Sequence, residues 1–341
     1  MKTIPQLLAE ELGCKEEYVN NVVSLLDEGN TIPFIARYRK EAHGAMDDTT
    51  LRTLETRLGY LRNLQTRREE VKASIDAQGK LTDELSAAID RALTLAEVED
   101  LYRPYKQKRR TRATIAREKG LEPLARLLFD RGPAVDPAQA ALPFVDPEKG
   151  VKTAEDALQG ASDIIAEEIS DNADIRKELR ELFLRRGMLV SKAAQKEPED
   201  SVYRLYYDFK VPVGKAQGYQ VLAINRGERE EILKVSVELD QETAHVAVRR
   251  MTVPGAAAMD FVRTAADDAY DRLIEPSMER EIRNYLTDQA NEGAIHMFAV
   301  NLKPLLMQPP VKGKVTMGLD PGYRMGCKVA VVDGTGKVLD T

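Results

Sequence analysis

The chain has 341 residues, of which 43% are hydrophobic, 31% charged and 6% aromatic, with no tryptophan. It is too long for a single core, too apolar for a disordered chain, and richer in helix-forming aliphatic residues than in strand formers. A formal charge of −6, from 50 basic and 56 acidic residues, excludes a uniformly basic, histone-like binder; a nucleic-acid contact would have to come from a local cluster.

Two cysteines (Cys14, Cys327) and three histidines (His43, His245, His296) are too scattered for a zinc site or a disulfide framework. The N-terminus carries charges where a signal peptide needs an apolar run, and no apolar stretch approaches a membrane span. A cytoplasmic protein with no membrane partner is expected. No motif for a cofactor or a metal is present, and there is no P-loop, HExxH or GxSxG sequence.

The first 200 residues read as helices. Leu51, Leu54, Leu58, Leu61 and Leu64 recur at steps of three and four, and the same face continues through Val71 and Ile75. Asp47 to Thr50 offer capping side chains at its start, and Gly79 offers a stop. Leu81, Leu85, Ala88, Ile89 and Ala92 predict a second helix, completing a hairpin with a long first arm. Pro104 breaks the helix that follows. Pro133, Pro137, Pro143 and Pro147 predict a connector from Asp130 to Gly150. Helical faces resume with Leu158, Ala161, Ile165 and Ile169, then Leu179, Leu182 and Phe183, ending at Arg185-Arg186-Gly187.

Between Val202 and Leu239 the texture changes. Val221–Ile224 is a short apolar stretch, and Asn225-Arg226-Gly227-Glu228 reads as a turn. Leu233, Val235 and Val237 alternate with Lys234 and Ser236, the period of a half-buried strand. Helices return over Ala265–Leu286 and again over Ala294–Leu306, where Ile295, Phe298, Leu302 and Leu305 share a face. Pro309-Pro310 reads as a stiff linker. Val315–Asp320, Cys327–Asp333 and Lys337–Leu339 then predict three short strands around Pro321-Gly322 and Gly334-Thr335-Gly336 turns. Three strands without a covering helix do not make a stable domain, so the chain is expected to stop inside a fold.

Three features carry possible chemistry. Arg103–Lys119 holds eight basic residues (Arg103, Lys106, Lys108, Arg109, Arg110, Arg112, Arg117, Lys119) against Glu118, with Tyr102 and Tyr105 at its start. Such cations can neutralise phosphates, and tyrosines can stack on unpaired bases. The competing reading is ion pairing with Asp146–Asp174, which holds nine acidic residues against two lysines. A second, smaller basic segment is Thr31–Lys40, where Ile32, Ile35 and Phe34 would anchor the chain while Arg37, Arg39 and Lys40 project; the competing and favoured reading is a packed loop with surface charges. The third is Asp320, a carboxylate ending a strand beside a tight turn. That placement suits a magnesium ligand in an RNase-H-like nuclease, the phosphate hairpin of an actin-like ATPase, or a turn with no function. Glu230-Glu231 and Asp267-Asp268 read as solvated helix positions.

Several segments together resemble the bacterial Tex family of transcription accessory proteins. They are Thr31-Ile32-Pro33-Phe34-Ile35-Ala36-Arg37-Tyr38-Arg39-Lys40-Glu41, Glu99-Asp100-Leu101-Tyr102-Arg103-Pro104-Tyr105-Lys106 with its continuation Lys108–Ala113, and Ala116–Ala125. Ala223-Ile224-Asn225-Arg226-Gly227-Glu228, Arg272-Leu273-Ile274-Glu275-Pro276-Ser277 and Gly318-Leu319-Asp320-Pro321-Gly322 follow in the family's order. The resemblance implies a helical N-terminal part with a helix-turn-helix-like element and then an RNase-H-like domain of the YqgF type. Helix-hairpin-helix motifs and an OB-fold RNA-binding domain, which carry most of the family's nucleic-acid binding, would lie beyond Thr341. It also implies that the RNase-H-like domain is incomplete as a nuclease, which makes Asp320 an architectural remnant. Gly214-Lys215-Ala216-Gln217-Gly218 departs from the family, which carries a Ser-His-Arg there.

The fold expected is mainly α: a multi-helix platform over 1–200, a mixed, mostly helical region over 201–310, and the first strands of a truncated RNase-H-like domain over 311–341. The function expected is a non-enzymatic, nucleic-acid-binding (RNA or DNA) transcription accessory role. Its phosphate contacts would be Lys106, Lys108, Arg109, Arg110 and Arg112, with Arg37, Arg39 and Lys40. Two alternatives stand beside it: a magnesium-dependent nuclease using Asp320 in the intact protein, and a docking module for RNA polymerase or ribosomal components.

Overall fold

A computed structural model describes residues 2–107, 109–195, 201–309, 312–322 and 326–341; Lys108, Pro310 and residues 323–325 of the last hairpin lie outside the described residues. The chain is mainly α-helical and divides into two compact units, Met1–Leu184 with Leu239–Met278, and Arg185–Glu238 with Glu279–Thr341.

In the first unit, α1 (Ile4–Leu12), α2 (Glu16–Asp27) and α3 (Ile32–Tyr38) pack Leu8, Val19, Val22, Ile32 and Ile35 against Leu51, Leu54, Leu58 and Leu61 of α4 (Asp48–Asp76). Asp47 caps α4 by accepting from the Thr50 amide at 2.7 Å, and Gly79, with φ +66°, follows its end. The same apolar stripe, continued by Leu64, Val71 and Ile75, meets Ile89 of α5 (Asp83–Arg91) and Val98 of α6 (Leu95–Tyr102). One long helix therefore serves two cores. Its polar edge clamps the first of them: Arg57 donates twice to Glu11 (2.6 and 2.8 Å) and Arg62 twice to Asp27 (2.7 and 2.8 Å). These hydrogen bonds hold both carboxylates below their usual range.

The loop after α3 is pinned to α2. Asn21 Nδ2 donates to the Ala42 carbonyl at 3.1 Å, and His43 is buried. Gly44 sits at φ +59° so close to Tyr18 that an added Cβ would lie 2.3 Å from the ring.

Beyond Pro104 the chain makes a 3₁₀ turn, Arg103–Tyr105, then α7 (Arg112–Glu118), α8 (Glu122–Phe129), α9 (Pro137–Ala141), α10 (Ala154–Asp171) and α11 (Ala173–Arg186). The stretch read as a proline connector contains helix. Pro137 opens α9, capped by Asp136, and Pro143 and Pro147 lie early in 3₁₀ turns. Proline's fixed φ and missing donor suit a first turn, where the amide would lack a partner anyway.

In the second unit β1 (Met188–Ala193) lies between β2 (Asp208–Pro212) and β3 (Leu233–Glu238), both antiparallel to it, with Val190 opposite Lys210 and Ser236. The alternation over Leu233–Val237 found β3. Its neighbour β1 escaped because Leu189, Val190 and Ser191 are buried in succession, which hides the strand period. Between β2 and β3 runs α12 (Gly218–Arg229), which replaces the expected turn at Asn225–Glu228. Gly227 is there for close packing: a Cβ would lie 2.6 Å from Leu233 Cδ1 and 3.1 Å from Tyr203. Glu230 and Glu231 lie in the turn after α12, with Glu231 at φ +59°, and are not helix positions.

The chain returns to the first unit through α13 (Gln241–Thr252) and α14 (Met259–Asp268), which runs through a π-helical turn, Ala269–Ile274, into α15 (Glu275–Leu306). Asp267 and Asp268 are not simply solvated: Arg249 donates twice to Asp267 at 2.7 Å, and Arg272 reaches Asp268 at 2.6 Å. Ala294–Leu306 is the end of α15 rather than a separate helix, and Ile295, Phe298, Leu302 and Leu305 are exposed on it. In the second unit Arg283 of α15 donates to Asn225 Oδ1 at 3.1 Å and Glu228 Oε1 at 2.7 Å, so these motif residues serve helix packing. The chain closes with β4 (Thr316–Pro321), β5 (Cys327–Val332) and β6 (Val338–Asp340), paired antiparallel in that order.

A buried charge cluster ties α6, α11 and the start of α15 in the first unit. Asp100, only 5% exposed, accepts from Arg176 Nε at 2.6 Å and also from Arg180. Arg176, 3% exposed, donates in addition to Ser277 Oγ at 3.1 Å. Removing one member leaves a buried charge unmatched, so Asp100→Ala should lower stability by about 3–5 kcal/mol. Asp48→Ala, which removes the exposed pair to Arg52, should cost no more than about 1 kcal/mol; chemical denaturation of the two variants measures the difference. Gly29→Ala forces alanine to a positive φ in open space and should cost about 1 kcal/mol. Gly44→Ala adds the Tyr18 collision and should lower the thermal midpoint further than Gly29→Ala does.

Candidate nucleic-acid interface

The site is built on α10. A capping box starts it, with Thr153 Oγ1 accepting from the Asp156 amide at 3.1 Å and Asp156 Oδ2 accepting from the Thr153 amide at 3.1 Å. Ala157, Ala161, Ile164 and Ile165 bury it among its neighbours. Asp163, Glu167 and Asp171 recur every fourth residue, so they form one stripe along the helix, and each is at most 9% exposed. Carboxylates that deep need charged partners. Arg272 of the π turn donates to Asp163 Oδ1 at 2.8 Å. Arg117 of α7 donates to Glu167 Oε2 at 2.6 Å, and the Thr111 hydroxyl donates to Glu167 Oε1 at 2.9 Å. Arg103 donates to Asp171 Oδ1 at 3.2 Å. One position round the helix, Glu168 takes Arg126 of α8 at 2.7 Å.

The acidic segment thus faces the basic one, and it takes only part of it. Arg103 and Arg117 are committed to α10. Burial, with Arg176 nearby, pushes the Arg103 guanidinium below its ordinary range; an arginine stays charged even so, and Asp171 matches that charge. Lys119 donates to the Gly150 carbonyl at 3.1 Å, and Arg110 pairs on the surface with Glu118 at 2.8 Å. Lys106 is exposed, with Nζ 4.0 Å from Glu99. Arg109 and Arg112 are exposed and form no ion pair among the described residues. A cleft of about 330 Å³ opens beside Arg112, with Arg103, Lys106 and Thr111 also on its walls and Asp163, Glu167 and Asp171 on the α10 side.

The tyrosines at the start of this stretch are not free to stack on bases. Tyr102 and Tyr105 pack against the cluster of Leu64, Val71, Ile75, Ile89 and Val98, and Tyr102 Oη shares a hydrogen bond with Ser74 Oγ at 2.9 Å. Their neighbours on α6 are apolar at helical spacing, and that stripe draws both rings inward.

The second basic segment has the opposite character. Ile32 and Ile35 are buried, Phe34 is half-buried, and Arg37, Arg39 and Lys40 are exposed at the end of α3. None of the three cations forms an ion pair among the described residues; Arg39 instead lies over the Phe34 ring, 5.5 Å from its centroid. Tyr38, which charge pattern alone does not single out, is 59% exposed beside them. An aromatic residue among three cations is the signal in the sequence that marks it.

Asp320 lies on β4, opposite Lys328 of β5, and is exposed. Asp333, at the end of β5, closes the next turn by accepting from the Thr335 amide (2.8 Å), the Thr335 hydroxyl (2.7 Å) and the Lys337 amide (3.0 Å). Those hydrogen bonds, led by the Thr335 hydroxyl, hold its carboxyl below the usual range. Among the described residues no three His, Cys, Asp or Glu side chains are grouped to hold a metal ion, and no helix is long and apolar enough to cross a membrane.

Three family models match the chain, one after another along its sequence. Residues 2–76 match the Tex-like protein N-terminal domain, 132–298 the Tex central region and 314–341 the YqgF-like domain of Tex proteins. The chain is 44% identical over 98% of its length to Protein tex of Bordetella pertussis, and 39% identical over 99% to the transcriptional accessory protein Tex of Neisseria gonorrhoeae. It is 31% identical over 98% of its length to human S1 RNA-binding domain-containing protein 1. It spans 44%, 45% and 35% of those three relatives, so less than half of each. With three family domains matched in order and a helical body leading into a YqgF-like sheet, the chain belongs to the Tex family.

Proposed function

We propose that this chain is the helical frame of a cytoplasmic, non-enzymatic transcription accessory protein that binds nucleic acid. Lys106, Arg109 and Arg112 make its phosphate contacts, and Arg37, Arg39 and Lys40 form a second contact. One observation carries this reading: in a stretch whose other arginines are claimed by carboxylates, Arg109 and Arg112 are exposed with no ion pair among the described residues, next to the exposed Lys106. A cation held by a carboxylate has little to gain from a phosphate, whereas a solvated one releases counterions when it finds one. Arg110 is intermediate, since an exposed pair with Glu118 is weak enough to exchange for a phosphate. Two relatives, one named as transcriptional accessory and one as S1 RNA-binding, support the same direction.

Replacing Lys106, Arg109 and Arg112 together by glutamine should weaken RNA and DNA binding. It should also flatten the slope of log affinity against log salt by about 2–3, near one unit for each phosphate no longer neutralised. Fluorescence anisotropy titrations over a range of salt concentrations give both quantities. A triple variant with the parental slope would remove these residues from the interface.

A further inference from the structure

Helix α3 is short, and its apolar side is used up by Ile32 and Ile35, both buried against the core. Phe34 and Tyr38 stand one turn apart on another side, with ring centroids 5.4 Å apart and planes inclined at 48°. Phe34 is half-buried and covered by Arg39, and Tyr38 keeps 59% of its surface in water. Arg37, Arg39 and Lys40 flank Tyr38 in sequence and are exposed, and none forms an ion pair among the described residues. The loop they enter is held by the Asn21–Ala42 hydrogen bond, the burial of His43 and the close seat of Gly44 on Tyr18. The loop that follows the cations and the ring is therefore held in place before any partner arrives.

We propose that the end of α3 is a stacking platform for unpaired nucleobases. One base lies on the exposed Tyr38 ring, its flanking phosphates meet Arg37 and Lys40, and the Arg39 guanidinium, over Phe34 at 5.5 Å from its centroid, offers a second planar surface. The chemistry selects for strand state. A single strand presents base faces that stack on aromatic and guanidinium planes, whereas a duplex has its base faces already stacked and offers the ring nothing. The cations alone would bind either form. The inference rests on the reading that the exposed cations of this chain contact nucleic acid, and it names which nucleic acid the α3 contact takes.

The test uses the full chain with oligo(U) and oligo(dT) single strands and a duplex of equal length, titrated by anisotropy at several salt concentrations. Tyr38→Leu keeps a bulky apolar side chain but removes the ring. It should weaken single-strand binding on the order of tenfold, leaving the salt slope and the duplex affinity unchanged. Tyr38→Phe should restore single-strand binding, since the ring and not the hydroxyl does the stacking. A loss confined to one of the two single strands supports the platform and identifies the sugar it accepts. Unchanged single-strand affinity in Tyr38→Leu, while the Lys106/Arg109/Arg112 variant still flattens the slope, overturns the platform and leaves the broader function standing. An equal loss on duplex also overturns it. A parent chain that binds none of the probes sinks both.

Discussion

Helix α10 carries three carboxylates one turn apart, and each holds an arginine from a different part of the chain: Asp163 with Arg272, Glu167 with Arg117, Asp171 with Arg103. These partners come from the π turn, from α7 and from the 3₁₀ turn after α6. No single apolar contact could specify all three approaches, because hydrophobic burial has no direction while a carboxylate–guanidinium bond does. Desolvating these charges is expensive, and a well-packed apolar substitute could be as stable. What the stripe supplies is registration. Elements far apart in sequence are brought to one helix face in one order.

That arrangement also sorts the basic segment. Eight cations within seventeen positions look equivalent as charge density, yet the described ones differ in what holds them. Arg103 and Arg117 lie towards the two ends of the segment, where the chain touches the stripe. Lys106, Arg109 and Arg112 lie between those anchor points and are exposed, Lys106 within 4.0 Å of Glu99 and the two arginines with no ion pair among the described residues. The acidic helix therefore neutralises Arg103 and Arg117 and leaves Arg109 and Arg112 without an ion pair among the described residues.

The parts of this fold that were legible in the sequence are those whose burial is periodic. The stripe from Leu51 to Ile75 is buried at every position named from it, because α4 is flanked by partners along one side only. Periodicity fails where burial comes from more than one side. Met188–Ala193 is the central strand of its sheet and reads as no pattern at all. Residue type misled in another way at Gly227. An Asn-Arg-Gly-Glu run has turn chemistry, but here the glycine is a packing residue inside α12, and Asn225 and Glu228 are spent on Arg283. A residue that permits a turn does not require one, and only the closeness of Leu233 distinguishes the two uses.

The tyrosines make the same point at the candidate interface. Tyr102 sits in the denser basic segment and is the natural stacking residue by charge, but Val98 and Leu101 share its helix and the group turns toward Val71 and Ile75. Tyr38 has a weaker local charge and a stronger position. Its helix ends at that residue, its inward side is filled by Ile32 and Ile35, and the pinned loop that follows turns the chain away. The ring is left to pack on Phe34, which already carries Arg39. Charge density ranks the two segments one way and available aromatic surface ranks them the other. A phosphate backbone responds to the first and an unpaired base to the second, so under the proposed function the two basic segments would take different parts of the same ligand.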